Sequence, residues 1–202
     1  SVWCSFTIRA LRSGTMKSTP KIPPQSAINA IETAIAGLVP IGQDGTASNP
    51  YQINSLDQFK LFANTVNSGD SFQDKYVELN ADIDLSGINW TPIGTSNSTT
   101  SGAGFAGTFN GNGHVVSNIT IPGTSKYATF GLFGTVTGTV KNLGVENVTI
   151  THDGVADLRA GGLAGTLSGG LIDNSYVINA NVSVGGRVAA GFLGLNRNGT
   201  IQ

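Results

Sequence analysis

A four-residue segment that returns at nearly even intervals constrains this chain more than any other feature. Gly131-Leu132-Phe133-Gly134, Gly162-Leu163-Ala164-Gly165 and Gly191-Phe192-Leu193-Gly194 begin 31 and 29 residues apart. A second pattern follows the first two copies, as Val140-Lys141-Asn142-Leu143 and Ile172-Asp173-Asn174-Ser175. An earlier segment, Val116-Ser117-Asn118-Ile119 after Gly111-Asn112-Gly113, reads as the same pattern. The third copy has reached Gly199-Thr200-Ile201 when the sequence ends at Gln202, so further repeats are expected in the natural protein. Short strands recurring at this period specify a solenoid or a propeller, because each unit buries its apolar face only against a neighbour. A propeller blade needs about four strands in about 40 residues. Two or three strands in a shorter unit favour a β-helix.

The motif has a physical reading. Two apolar residues between glycines suit a short inward strand between sharp corners. The recurrent Asn suits a corner with positive φ, or a ladder with the Asn of the next turn. Successive repeats should then pair in parallel. Asn118, Asn142 and Asn174 should fall at comparable corners, and Leu132, Phe133, Leu163, Phe192 and Leu193 should be core.

Composition agrees. Gly makes up 28 of 202 residues, and charged residues only 11%, against an average of about 25%. Ser, Thr and Asn supply the polarity instead. A net charge of −1 gives no electrostatic case for nucleic acid or an anionic membrane. The one basic cluster, Arg9, Arg12, Lys17 and Lys21, reads as an N-terminal arm. The single cysteine, Cys4, excludes an internal disulfide, and Trp3 before it is too large for a lipidation signal. The longest apolar stretch, around Ala34–Ile41, holds Gly37 and Pro40 and is too short to span a bilayer.

Along the chain, residues 1–50 read as an arm with a short helix at 26–38 and a polar loop. Ser26 would cap that helix, and Ile28, Ile31 and Ile35 share a face. A second helix is predicted from Ser55 to about Val66, with Ser55 and Gln58 as a capping box and Leu56, Phe59, Phe62 and Val66 at helical spacing. Its expected role is to plug the first apolar layer of the stack. From Tyr76 to Leu85 the period becomes strictly alternating. Val77, Leu79, Ala81, Ile83 and Leu85 point one way, and Glu78, Asn80, Asp82 and Asp84 the other.

At these residues the segment 51–202 resembles the GLUG-repeat family of bacterial extracellular proteins. "YQINSLDQFKLFANTVN" resembles its helical lead-in, and "YVELNADIDLSGINWTPIGT" its Asp-Ile-Asp-Leu and Trp-x-Pro-Ile-Gly strand pair. "FAGTFNGNGHVVSNITI" is similar to its first Gly-Asn-Gly rung, and "GLFGTVTGTVKNLGVENVTI" to its first full repeat. The resemblance implies a right-handed parallel β-helix with an N-terminal capping helix, on a secreted or surface-anchored protein. It covers adhesin-like proteins and non-catalytic parts of immunoglobulin A-cleaving metallopeptidases.

Candidate chemistry is sparse. Asp82 and Asp84, with Glu78, read either as a solvated strand face or as a calcium or glycosidase carboxylate pair. Trp90 and Tyr127 read either as core packing or as platforms for a sugar. His114 and His152 lack any zinc-ligand context and read as exposed residues near turns. Asn97, Asn118, Asn147, Asn181 and Asn198 each begin an Asn-x-Ser/Thr triplet, read as a product of composition. The expectation is therefore no catalytic residue, no metal and no cofactor. Weak ligand contacts are placed at Asp82, Asp84, Trp90 and Tyr127, and the partner is a host glycan or surface protein. A structural or adhesive module, an accessory region of a surface peptidase, a carbohydrate-active β-helix and an ice-binding face all remain open. Lys126, Lys141, Arg159, Arg187 and Arg197 are too scattered to argue for the third; Thr135, Thr137, Thr139, Thr149 and Thr151 suggest the fourth, yet no Thr-x-Thr row recurs in the next repeat.

Overall fold

The computed structural model describes residues 43–95, 104–123, 128–153, 158–185 and 188–202. Every described residue lies in one compact unit, Leu38–Gln202. The expected helix at 26–38, the basic cluster and Cys4 lie outside the described residues, as do Asn97, Lys126, Tyr127 and Arg187. Residues 43–50 are tied to the rest of this unit, since Tyr76 donates its backbone N–H to Gly45 O at 2.9 Å.

This unit is a parallel β-solenoid. Strands β1 (Tyr51–Ile53), β2 (Tyr76–Leu79) and β3 (Ile83–Asp84) begin it, with helix α1 (Leu56–Asn67) between the first two. Three four-stranded turns follow. The first is β4 (Thr108–Asn110), β5 (Val115–Ile121), β6 (Thr129–Phe130) and β7 (Phe133–Val136). The second is β8 (Thr139–Lys141), β9 (Gly144–His152), β10 (Arg159–Gly161) and β11 (Ala164–Ser168). The third is β12 (Leu171–Asp173), β13 (Tyr176–Val184), β14 (Val188–Ala190) and β15 (Leu193–Arg197), after which β16 (Thr200–Ile201) opens another. Equivalent strands stack into four sheets, ordered β1-β2-β4-β8-β12-β16, β3-β5-β9-β13, β6-β10-β14 and β7-β11-β15. All pairings between these strands are parallel, as in Phe133 beside Ala164 and Ala164 beside Leu193.

Backbone approach requires glycine at both positions of the second copy and at the second position of the third. A Cβ on Gly165 would lie 2.6 Å from the Phe130 nitrogen, and one on Gly194 2.6 Å from the Gly165 oxygen. A Cβ on Gly162, the first glycine of its copy, would strike the Gly191 carbonyl oxygen. Successive turns pass too close at these corners for any side chain. Between the glycines the chain turns, so Leu132 and Phe133 both point inward and are fully buried, as is Leu163.

The register departs from the sequence reading at two places. Val116 pairs with Val145, whereas Val140 pairs with Phe109 and Ile172. Asn118 therefore stands beside Asn147, which in turn stands beside Asn179, and the partner of Asn142 in the earlier turn is the Asn110–Asn112 segment. The alternating run from Tyr76 to Leu85 is also two strands, split at residues 80–82. Val77, Leu79, Ile83 and Leu85 are buried, while Ala81 at the corner is half-buried.

Helix α1 closes the first layer. The Ser55 hydroxyl accepts from the Gln58 N–H at 3.3 Å, and Gln58 Oε1 accepts from the Asn54 N–H at 2.6 Å. The capping box thus closes one residue before the cap itself. Phe59 stacks on Trp90 with ring centroids 5.3 Å apart, and Phe62 lies 5.6 Å from both Phe105 and Phe109. Phe133 continues the aromatic column 5.7 Å from each of those two. At the other end β16 alone, among the described strands, pairs over the third turn. Phe192 and Leu193, expected in the core, are consequently only half-buried against it.

Phe133→Ala should lower stability by about 3–5 kcal/mol through lost burial and a cavity. Phe192→Ala should cost clearly less, because its ring is already partly exposed. Urea unfolding of the two variants checks this, and equal losses would contradict a graded column.

Candidate functional site

The chemistry on the solenoid surface is organised by two columns of side-chain amides. In the first, Asn80 Nδ2 donates to Asn54 Oδ1 (3.3 Å), Asn142 Nδ2 to Asn110 Oδ1 (2.9 Å) and Asn174 Nδ2 to Asn142 Oδ1 (2.8 Å). Asn112 bridges the early turns, donating to Leu79 O at 3.1 Å and accepting from Asn110 Nδ2 at 2.6 Å. In the second column Asn118 Nδ2 donates to Asp84 Oδ1 (2.9 Å), Asn147 Nδ2 to Asn118 Oδ1 (3.2 Å) and Asn179 Nδ2 to Asn147 Oδ1 (3.2 Å). Asn118, Asn147 and Asn179 have φ of 59°, 55° and 55°, and Asn112, Asn142 and Asn174 have 52°, 53° and 43°. Asn is the non-glycine residue best suited to this left-handed conformation. Each of these six residues therefore both makes its corner and links it to a neighbouring turn.

The second column explains the Asn-x-Thr triplets. Asn118-Ile119-Thr120, Asn147-Val148-Thr149 and the related Asn179-Ala180-Asn181 are one corner repeated in three turns. The first residue turns the strand, the second enters the core and the third points to solvent. Ile119 and Val148 are buried, whereas Thr120, Thr149 and Asn181 are exposed. The spacing of Asn118, Asn147 and Asn179 was the available signal, read instead as composition. Beside this column lies a polar depression of about 480 Å³, walled at one end by Ser86 and Gly87.

The carboxylates belong to this scaffold. Asp82 Oδ1 accepts from the Val115 N–H and lies 3.0 Å from His114 Nδ1. Asp84 accepts from Asn118 Nδ2, the Ser86 N–H (2.9 Å) and the Ser86 hydroxyl (3.0 Å). Glu78 sits on β2, in a different sheet from β3, so the three acids do not share one strand face. The Val115 N–H, then His114, holds Asp82 below the ordinary carboxylate range, and the Asn118 amide, then Ser86, does so for Asp84.

Of the other candidates, Trp90 is a correction. It is only 5% exposed, stacks on Phe59 and donates Nε1–H to Leu132 O at 3.0 Å. Its ring faces are therefore not available to a sugar. Tyr127 lies outside the described residues. His114 and His152 are half-buried rather than exposed, and His152 packs 5.2 Å from Phe130. Among the described residues no three His, Cys, Asp or Glu side chains gather as a metal site. No helix there is long and apolar enough to cross a membrane.

Two outcomes follow. Asn147→Ala should cost about 1 kcal/mol more than Asn147→Gly, because both break the column but only Ala is strained at this φ. Equal losses would mean that the left-handed corner carries no weight. The depressed acids set a pH dependence of fixed sign. A carboxylate with a lower pKa in the folded state stabilises at higher pH, and that contribution disappears as pH falls through its folded value. Melting temperature should drop below about pH 4, and less steeply in an Asp82→Asn, Asp84→Asn double variant. Parallel melting curves for the two proteins would contradict this.

Comparison with known proteins adds context. No family model matches the chain. Over 157 residues it is 32% identical to halomucin of Haloquadratum walsbyi, a match covering 72% of this chain and 2% of that protein. Over 146 residues it is 34% identical to a protein of Evansella cellulosilytica named provisionally as a Gly-rich membrane protein, covering 71% and 15%. The chain thus spans only a small part of these relatives. Among solved structures it resembles a Bacteroides ovatus protein named provisionally as an immunoglobulin A1 protease. The TM-score is 0.53 and the identity 26%, over 79% of this chain and 57% of that one.

Proposed function

We propose that this chain is a GLUG-type, non-catalytic module of a secreted or cell-surface protein, whose solenoid holds and presents an extended surface for adhesion. One observation carries the reading: two amide columns run turn after turn along the outside of a continuously packed core. That arrangement makes a regular, hydrated and largely uncharged surface that lengthens with every added turn. The names of the relatives, halomucin and a Gly-rich membrane protein, support a surface location.

The acids support the non-catalytic reading from the chemical side. A general acid needs a carboxyl whose pKa is raised. Asp82 and Asp84 are held down instead, by hydrogen bonds that fix the β3 segment to the first turn. Lys141 stands on β8, apart from Arg159 of β10 and Arg197 of β15; those two line a depression with Val188 and Leu195, with no carboxylate among its lining residues. A second reading, an accessory region of a surface peptidase, is favoured by the solved neighbour alone.

Purified protein incubated with peptide and polysaccharide panels, with and without calcium and zinc, should give no product. Turnover that disappears in the Asp82→Asn, Asp84→Asn variant would overturn the reading.

A further inference from the structure

The polar depression on sheet β3-β5-β9-β13 is built from two parallel rows. One is Asn118, Asn147 and Asn179, and the other is Thr120, Thr149 and Asn181. The rows run along the solenoid axis, so like groups recur at about 4.8 Å, the spacing of paired strands. The wall at one end has a simple origin. Asp84 pairs with Ser117, and Asn89 bridges to Thr120. Between those points β5 uses two residues, Asn118 and Ile119, while the preceding turn uses four, Leu85 to Ile88. The surplus loops outward, and Ser86 and Gly87 close the end of the trough.

The hydrogen-bonding capacity of the rows is only partly spent. An Asn side chain offers two N–H donors and two acceptor lone pairs. The column uses one N–H of each amide, and one lone pair each of Asn118 and Asn147. The column leaves a further donor and acceptor on each unused, and Asn147 and Asn179 are exposed. Thr120, Thr149 and Asn181 are exposed and form no side-chain hydrogen bond among the described residues. No charged side chain lines the trough.

We infer that this trough binds a neutral polysaccharide chain lying along the solenoid axis, its hydroxyls paired with the amide row and the Thr/Asn row. The inference rests on the reading of the chain as a non-catalytic surface module. Regularly spaced groups that both donate and accept match a polyol with one sugar per turn. An anionic polysaccharide would need a cation in the trough. An extended peptide would pair with a sheet edge rather than a sheet face. No aromatic ring lines the site, so binding comes from repeated weak contacts and strengthens with the length of the sugar.

The test uses neutral hexasaccharides of glucose, xylose and mannose, with hexagalacturonate as the anionic counter-probe, titrated into the isotopically labelled chain. The side-chain amide signals of Asn147 and Asn179 should shift with at least one neutral sugar. Affinity should fall at least tenfold in a Thr120→Val, Thr149→Val variant that melts like the parent. No shift of those amides with any neutral sugar, unchanged affinity in the variant, or preference for hexagalacturonate each overturns the trough assignment. Shortening of the sugar during the titration would instead overturn the non-catalytic reading, and the two failures are told apart by the integrity of the sugar.

Discussion

Parallel stacking at a fixed spacing is the constraint on which the rest of this structure depends. Every strand that pairs on both sides must accept the same register from below and hand it on above, so its corners must fall in line. Two chemistries enforce that alignment. Glycines at the Gly-x-x-Gly corner let backbones approach where a Cβ would lie within 2.6 Å of another turn. Asparagines at the other corners take a left-handed conformation and bond to their own counterparts in the next turn. Glycine removes an obstacle, whereas asparagine adds a link, and the fold uses each where the other would fail.

The fold was legible because its period is legible. Gly131, Gly162 and Gly191 announce the repeat, and alternation in the strands gives the inward residues. Helix α1 was readable from Ser55, Gln58 and the spacing of its apolar residues. The register of the Asn corners was not. Val116-Ser117-Asn118 and Val140-Lys141-Asn142 have the same local form, yet they occupy different corners, because both follow an inward Val with an outward residue and a left-handed Asn. Only the pairing between turns separates them. The corner at residues 80–82 was hidden for a related reason, since inside-outside alternation passes through it unbroken.

The candidate site was less legible than the fold. Trp90 looks the same in sequence whether it faces a sugar or a core, and Phe59, which decides the matter, comes from the helix 31 residues earlier. Asp82 and Asp84 show as acids, but their hydrogen-bond donors Val115 and Asn118 come from the next turn. The polar trough depends on three triplets that become one surface only when stacked. In each case the missing information is which residues of different turns share a face.

The direction of the interstrand hydrogen bonds has a mechanical consequence. In a solenoid these bonds lie along the axis. A pull on its two ends therefore loads them in tension, at one boundary at a time, rather than shearing many together. The stack should yield by peeling, turn by turn, while the turns behind keep their packing. Each turn released frees about thirty residues, or roughly 100 Å of extended chain. Such a stack gives way in steps and lengthens under load instead of failing at once, and the aromatic stacking that locks helix α1 resists peeling of the layer it covers.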